Sequence, residues 1–517
     1  MKSFTRIVVG LLALCVAGAV YGQNTYVRIT GAQGLRGAVN QAVVDILKPG
    51  FTVGYAHYNN ATSASGTLAE LLLATNAIYT GTTVVGNYPV IIKTALSSTS
   101  TGGVRALTTN LVAAGTSTAS TEWLQDTIVG SNLTLTATAY ESGTMTADVA
   151  VSGEYQNTTR WPAPQFTQLT DWVMGVFPYV WVRNSGSPST LSNINATLAQ
   201  LLFSNGSTEL SQFTGNASDA GTNVFLIGRD EGASSRETLY AESGFGIYSV
   251  DTQYELDITG TAGPSGTVVG AEPYPAATVD GISFALGHSG YTTFGSLAAA
   301  LNTPGSLTST GTGTGTDANS VPIGGWVIGY SDLPDAVTVV PGISGSATAV
   351  VSGGAISSIT VTNGGSNYCS SPSGTNYYPL INIVDSSGSG TGATAVATVV
   401  SGTITGITVT NPGSGYNGPT TTVSITGGAI MSWNGVAYSP SSLENGQYTY
   451  WSYAHMMTRP TYSTTGPTGY QVAIQLEQDI FNGAILSANC VTLSSMKCQR
   501  SGDGTYVSPG AANFPQP

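Results

Sequence analysis

Between Tyr26 and Thr30 apolar and polar residues alternate, which predicts a strand. A glycine turn follows. Leu35, Val39, Val43, Ile46 and Leu47 then recur at helical spacing. "YPVIIKTALSSTSTGGVRALTTNL" repeats that grammar: an apolar strand, a turn of Ser, Thr and Gly, and the start of a helix. "ADVAVSG" reads as a short buried strand and "WVMGVFPYVWVRN" as a long apolar one. "TLSNINATLAQLLFSN" is a helix behind an Asn-rich cap, and "NVFLIGRDEGASSRETLY" is again strand, turn and helix. Strands alternating with helices predict an α/β fold with parallel sheets.

The pattern changes near residue 302. "NTPGSLTSTGTGTGTDANS" is a low-complexity loop, and "GGWVIGYSDLPDA" resumes strand character. From 337 to 428 there is no helical periodicity and almost no charge. Here "ISSITVTNGGSNY" (356–368) matches "ITGITVTNPGSGY" (404–416) at an offset of 48 residues. These are strands of Val, Ile and Thr punctuated by Gly, an internal β repeat. Mixed texture returns at Ala429. The expected division is a signal segment 1–22, an α/β body 23–336 and 429–517, and an inserted all-β module 337–428.

The first residues, "MKSFTRIVVGLLALCVAGAVYGQ", combine basic Lys2 and Arg6 with an apolar run and small residues before Gln23. This reads as a secretory signal, too short to span a membrane. Leu14 stands where a lipoprotein signal needs a small residue, so simple cleavage is preferred over anchoring at Cys15. The expected location is periplasmic, secreted or cell-surface. Loss of Lys2 and Arg6 takes the net charge from −13 to −15. Such acidity argues against a nucleic-acid partner, whose phosphates need a basic face. Cys490 and Cys498 can bridge in an oxidising compartment or remain buried thiols, and Cys369 is then odd. Three scattered histidines and no paired Cys spacing predict neither a metal site nor a cofactor.

The chemistry gathers at the turns. Three strand–turn–helix units place Gly, Ser and Thr at helix starts, where backbone N–H groups are unpaired and the helix dipole is positive. That combination binds anions. Only 14 of 517 residues are Lys or Arg, yet Arg229 and Arg236 flank one of these turns. Arg229 can fork onto an oxyanion. Solvated faces are favoured for Arg36 and Arg105, while Arg236 is open between face and site. Trp433, Tyr438, Trp451 and Tyr453 read as core rather than as a sugar platform.

The pieces "ITGAQGLRGA", "SSTSTGGVRAL", "ADVAVSG", "LIGRDEGASSR", "WVIGYSDLPDA" and "AIMSWNGVAYSPSSLENGQY" resemble, in order, the phosphate-binding proteins of bacterial ABC importers. The resemblance implies a two-lobed α/β fold of the type II periplasmic-binding-protein kind, no enzymatic activity, a small oxyanion ligand with phosphate foremost, and an ABC permease as partner. It implies that the ligand's oxygens meet Gln33, Gly34 and Leu35 at the first turn. Ser100, Thr101 and Gly102 serve at the second, and Arg229, Ala233, Ser234 and Ser235 at the third, with Glu231 bracing Arg229.

Two departures bear on the ligand. Ala233-Ser234-Ser235 replaces the family's Ser-Gly-Thr. Ser152 is followed by Gly153, where the family has an Asp that accepts hydrogen phosphate's proton; Glu154 is a candidate substitute, while Asp148 caps or packs. The anion is therefore phosphate, another oxyanion, or a carboxylated or sulfated compound. The alternative function is a surface or matrix protein that reuses the scaffold, with 337–428 meeting its partner. A hydrolase ranks third, since the chain lacks a G-x-S-x-G elbow.

Overall fold

The computed structural model describes residues 24–56, 68–111, 122–129, 140–141, 145–303, 325–339, 345–366, 368, 379–387, 389–426, 429–482 and 491–510. The signal-like segment, most of the low-complexity loop, Cys369 and Cys490 lie outside the described residues. Cys498 is a free, buried thiol.

The body is built on one continuous sheet. Its strands are β1 (Thr25–Ala32), β2 (Thr52–Ala56), β3 (Asn76–Thr82), β4 (Pro89–Ser98), β5 (Val149–Ser152), β6 (Thr170–Arg183), β7 (Ser207–Glu209), β8 (Asn223–Leu226), β11 (Gly325–Asp332) and β19 (Trp451–Thr458). They lie in the order β2-β3-β4-β1-β5-β19-β6-β11-β8-β7. The expected parallel pairings are present: β1 runs parallel to β4 and β5, and β8 to β11. The sheet as a whole is mixed: β6 and β19 enter antiparallel to their neighbours, and so do β3, between β2 and β4, and β7, beside β8.

Strand β6 joins the two lobes. Its Thr170–Pro178 half pairs with β19 beside β5, and its Tyr179–Arg183 half pairs with β11. It is buried from Trp172 to Arg183, as a strand covered on both faces must be, which is why it reads as a continuous apolar run. Helices α1 (Arg36–Ile46) and α7 (Pro467–Asn482) pack together over the first lobe. Helices α2 (Ser100–Thr108), α3 (Ala196–Asn205), α4 (Ser234–Ser243), α5 (Phe294–Leu301) and the short α6 (Leu333–Ala336) complete the layers. Trp433, Tyr438, Trp451 and Tyr453 are buried in the main core. Asp148 packs as expected, its carboxylate accepting from the Arg28 N–H. Between α4 and α5 a small hairpin, β9 (Ala277–Val279) and β10 (Ile282–Phe284), leaves the second lobe.

Strands β12 (Ser346–Ser352), β13 (Ala355–Asn363), β14 (Leu380–Asp385), β15 (Thr391–Val400), β16 (Thr403–Ser414) and β17 (Thr421–Thr426) close into a barrel with a separate apolar core. The hairpins β12–β13 and β15–β16 share their irregularities at the 48-residue offset. Pairing slips after Ser346 and Val350 in one, and after Thr394 and Thr398 in the other. Tyr368 accepts from the Gly345 N–H and Tyr416 from that of Ala393. The chain then returns to the body through β18 (Ile430–Trp433).

Candidate functional site

The helix starts that follow β1, β4 and β8 converge with the end of β5 on one cleft, at the carboxyl ends of parallel strands where open α/β sheets bind ligands. Gln33, Gly34, Ser100, Gly153, Arg229, Ala233 and Ser234 line it, in a cavity of about 890 Å³. Phe177 and Phe294 supply apolar wall. Arg36, Asp332 and Asp335 add charge.

Several expected site residues have other duties. Gln33–Leu35 is a single 3-10 turn leading into α1, and Leu35 sends its side chain into the core. The Gly102 N–H donates to Thr99 Oγ1 at 3.0 Å, the cap of α2. Thr101 Oγ1 donates to Asp280 Oδ2 at 2.6 Å, and Thr99 Oγ1 to the same oxygen at 2.8 Å. The hairpin carboxylate thus occupies the Thr101 hydroxyl, one of those assigned to a ligand, together with that of the capping Thr99. Ser235 is fully buried; its carbonyl accepts from Tyr450, and its hydroxyl has no hydrogen-bond partner among the described residues.

Glu231 does not brace Arg229. It pairs with Arg160 and, at 3.1 Å, with Arg236. Arg236 is a wholly buried strut that also holds Asp251 and donates to Arg229's carbonyl at 3.1 Å. Arg229 is held by backbone instead: Nε donates to Tyr291 O at 2.8 Å and Nη2 to Thr292 O at 2.9 Å. Its carboxylate partner is Asp230, at 3.4 Å, and its guanidinium lies 4.3 Å from the Phe294 ring centre. None of these bonds uses Nη1, and the residue, though only 6% exposed, lines the cleft.

Gly153 has a steric cause. A Cβ there would stand 2.5 Å from Ser234 Oγ and 2.9 Å from the Tyr179 hydroxyl. Those two hydroxyls are bonded to each other at 2.7 Å and fill the place an Asp would need. The Gly153 N–H donates to Ser100 Oγ at 3.1 Å, which closes β5 onto α2. Glu154 does not replace the missing Asp in the cleft. It is fully buried off the cavity, and burial among Asp503, Asp280 and Glu231 pushes its carboxyl well above the ordinary range.

What remains for an anion is the start of α4. Its first N–H groups point ahead of the helix, Ala233 provides no side-chain cap, and Ala233 and Ser234 face the cavity beside Arg229. An acidic pair lines the same cavity. Asp332 caps α6 by accepting from the Asp335 N–H at 3.3 Å. Burial raises both carboxyls, and Asp335 raises Asp332 further, while Arg229 draws both back.

Sequence reasoning missed Asp280, Asp332 and Asp335. "ATVDGISF" carries a signal: Asp-Gly between apolar alternations marks a two-residue hairpin. Asp280 and Gly281 indeed take positive φ, 50° and 80°. The target of that tip is set by tertiary structure alone. Among the described residues no cluster of three His, Cys, Asp or Glu has metal-holding geometry, and no helix is long and apolar enough to cross a membrane.

No protein-family model matches the chain, and no curated protein matches it in sequence. Among solved structures it is similar to an ABC-type phosphate transport receptor from Vibrio cholerae, at 8% identity and TM-score 0.31, over 67% of this chain and 80% of that one. It is similar also to a substrate-binding protein ascribed to a phosphate ABC transporter, with bound phosphate, from Clostridium perfringens, at 8% identity and TM-score 0.35, over 90% and 99%. PstS from Borrelia burgdorferi matches at 9% identity and TM-score 0.33, over 91% and 99%. The reading of the site rests on its own geometry.

Proposed function

We propose that this chain is an exported, non-enzymatic solute-binding protein. Its cleft holds the oxyanion group of a small ligand between two lobes, and an ABC-type permease takes that ligand up. The observation that carries the reading is the convergence of Arg229 with the uncapped start of α4 on a cavity also lined by Gln33, Gly34 and Ser100. A guanidinium and free helix N–H groups together make a fixed anion receptor that needs no reorganisation. Calorimetry and thermal shift with phosphate, sulfate, arsenate and a simple carboxylate test it. Heat from at least one supports the reading.

One observation favours the second reading, a surface or matrix protein on a reused scaffold. Asp280 already satisfies the threonines of α2. Silence from every anion in that panel selects this second reading.

A further inference from the structure

The lobes touch away from the shared strand β6 as well as along it. Hairpin β9–β10 belongs to the second lobe, yet three of its residues rest on the first. Asp280, at the tip, accepts from the hydroxyls of Thr99 and Thr101 at the start of α2. Ile282 packs against the apolar cluster that Val104 and Leu107 of α2 form with Trp161. Phe284 has its ring centre 5.8 Å from the guanidinium of Arg160, which is next to Trp161 in the chain. The second lobe grips that arginine again through Glu231, whose Oε1 accepts from Arg160 Nε at 2.7 Å.

Glycines allow this close approach. A Cβ at Gly232 would collide with Thr99 Oγ1, and one at Gly153 with Ser234 Oγ. The Gly232 carbonyl accepts from both the N–H and the hydroxyl of Thr101, each at 3.4 Å. These contacts border the cleft: Thr99 lines the cavity, and so does Ala233, the residue after Gly232. Asp280 itself is not part of the cavity wall. Every one of the contacts is made by groups of the chain, so closure at this edge does not call on an occupant.

We propose that hairpin β9–β10 is a latch. Asp280 holds the two lobes together at the edge of the cleft, and the cleft opens when its bonds to Thr99 and Thr101 break. This is a hinge closure with a latched resting state and an open minor state. Because the latch lies beside the cavity, it makes the same contacts whether the cleft is filled or empty. It therefore gates entry and exit alike and leaves the affinity for an occupant unchanged.

Small-angle X-ray scattering and amide hydrogen exchange on the full chain in buffer alone test the latch, so its failure is separate from any failure of the anion reading. Asp280→Ala is expected to raise the radius of gyration. Exchange in the first turn of α2 and at residues 232–235 should become about tenfold faster. Exchange within β1 and β6 should keep the parent's rate, which verifies that the body stays folded. Asp280→Asn retains one acceptor oxygen and should fall between parent and Ala in both measurements. An unchanged radius in Asp280→Ala overturns the latch even if local exchange quickens, because the hairpin is then a brace on α2 alone. Should Asp280→Ala lose the fold, the radius of Asp280→Asn decides in the same way.

Discussion

Asp280 accepts from Thr101 at 2.6 Å and from Thr99 at 2.8 Å, which ties a hairpin of the second lobe to the first turn of a helix in the first. The carboxylate sits on hydroxyls beside a positive helix end, so the contact combines charge-assisted hydrogen bonds with the dipole. Asp280→Ala should lower unfolding free energy by about 1–2 kcal/mol, the value of hydrogen bonds to a charged group reduced for partial exposure. Asp280→Asn should lose less, because one acceptor oxygen survives. Urea titration of both variants measures this. Equal stability to the parent would show that the hairpin merely rests on the helix.

Gly153 was expected to be Asp if the ligand were hydrogen phosphate. Restoring that Asp should now damage the fold, because its Cβ would lie 2.5 Å from Ser234 Oγ. Forcing the side chain in would separate the Tyr179–Ser234 pair and overpack a closed interior, at a cost of about 2–4 kcal/mol. Ser234→Gly in the same chain removes the obstructing hydroxyl and should recover part of the loss. A Gly153→Asp protein as stable as the parent would mean that the lobes open easily at this point.

The repeating strand–turn–helix units were legible because β1, β4 and β8 are apolar and each feeds a turn rich in small residues. The turns were legible as a group too, since Gln33, Ser100, Arg229 and Ser234 do share one cavity. The partners of each charge were not. Glu231, two residues from Arg229, looked like its brace, yet Arg160 and Arg236 claim it. Arg236 lies five residues along the chain from Glu231, but Arg160 comes from a distant segment that local spacing cannot reveal. Nor does alternation along β6 show that it serves both lobes, because a strand buried on both faces carries no two-residue period.

Arg229→Ala has two expected effects. Anion affinity should fall by about 2–5 kcal/mol, as when one partner of a buried charge pair is truncated. Stability should also fall, by about 1–3 kcal/mol, because the Thr292 carbonyl loses the Arg229 donor and the Tyr291 carbonyl keeps only the Asp230 N–H. Arg229→Lys keeps the charge without the planar fork, so it should sit between parent and Ala in affinity. Calorimetry and chemical denaturation separate the two effects. A stability loss with unchanged affinity would make Arg229 a strut rather than a receptor.

The body should be more stable at pH 5 than at pH 8. Glu154 and Glu237 are fully buried, and among the described residues none of their four carboxylate oxygens has a hydrogen-bond partner. Burial raises both; Asp503, Asp280 and Glu231 raise Glu154 further, and Glu231 and Glu154 raise Glu237 further against the pull of Arg236 and Arg160. Burial also lifts Asp148 and Asp230 to about 6 and Glu477 to about 7. An acid whose folded pKa exceeds its unfolded value binds more protons when folded, so stability falls as pH rises between the two values. Thermal unfolding from pH 5 to pH 8 should therefore show a declining Tm. The double variant Glu154→Gln with Glu237→Gln should flatten that decline, and an unchanged slope would place the buried protons elsewhere.

The barrel should be separable from the body. Its strands bury their own apolar core, so the α/β layers do not depend on it for burial. The strand before the exit and the strand after the return both pair with β6. Gly329 of β11 pairs with Val182 from one side, and Ile430 of β18 pairs with the same residue from the other. Two strand spacings, about 10 Å, therefore separate Gly329 from Ile430 across β6. Beyond those pairs, Ala336 and Ala429 are both buried in the main core, so the anchoring is made by the body's residues. A Gly/Ser linker in place of 337–428 joins Ala336 to Ala429, and its closure cost grows only slowly with its length. The shortened chain should fold cooperatively and keep whatever oxyanion affinity the parent has, while losing any attachment to a surface or matrix. Circular dichroism, calorimetry and a cell-surface binding assay read these three properties. A shortened chain that folds but binds no anion would place part of the cleft's support in the barrel, and one that aggregates would show that the body needs the barrel to fold.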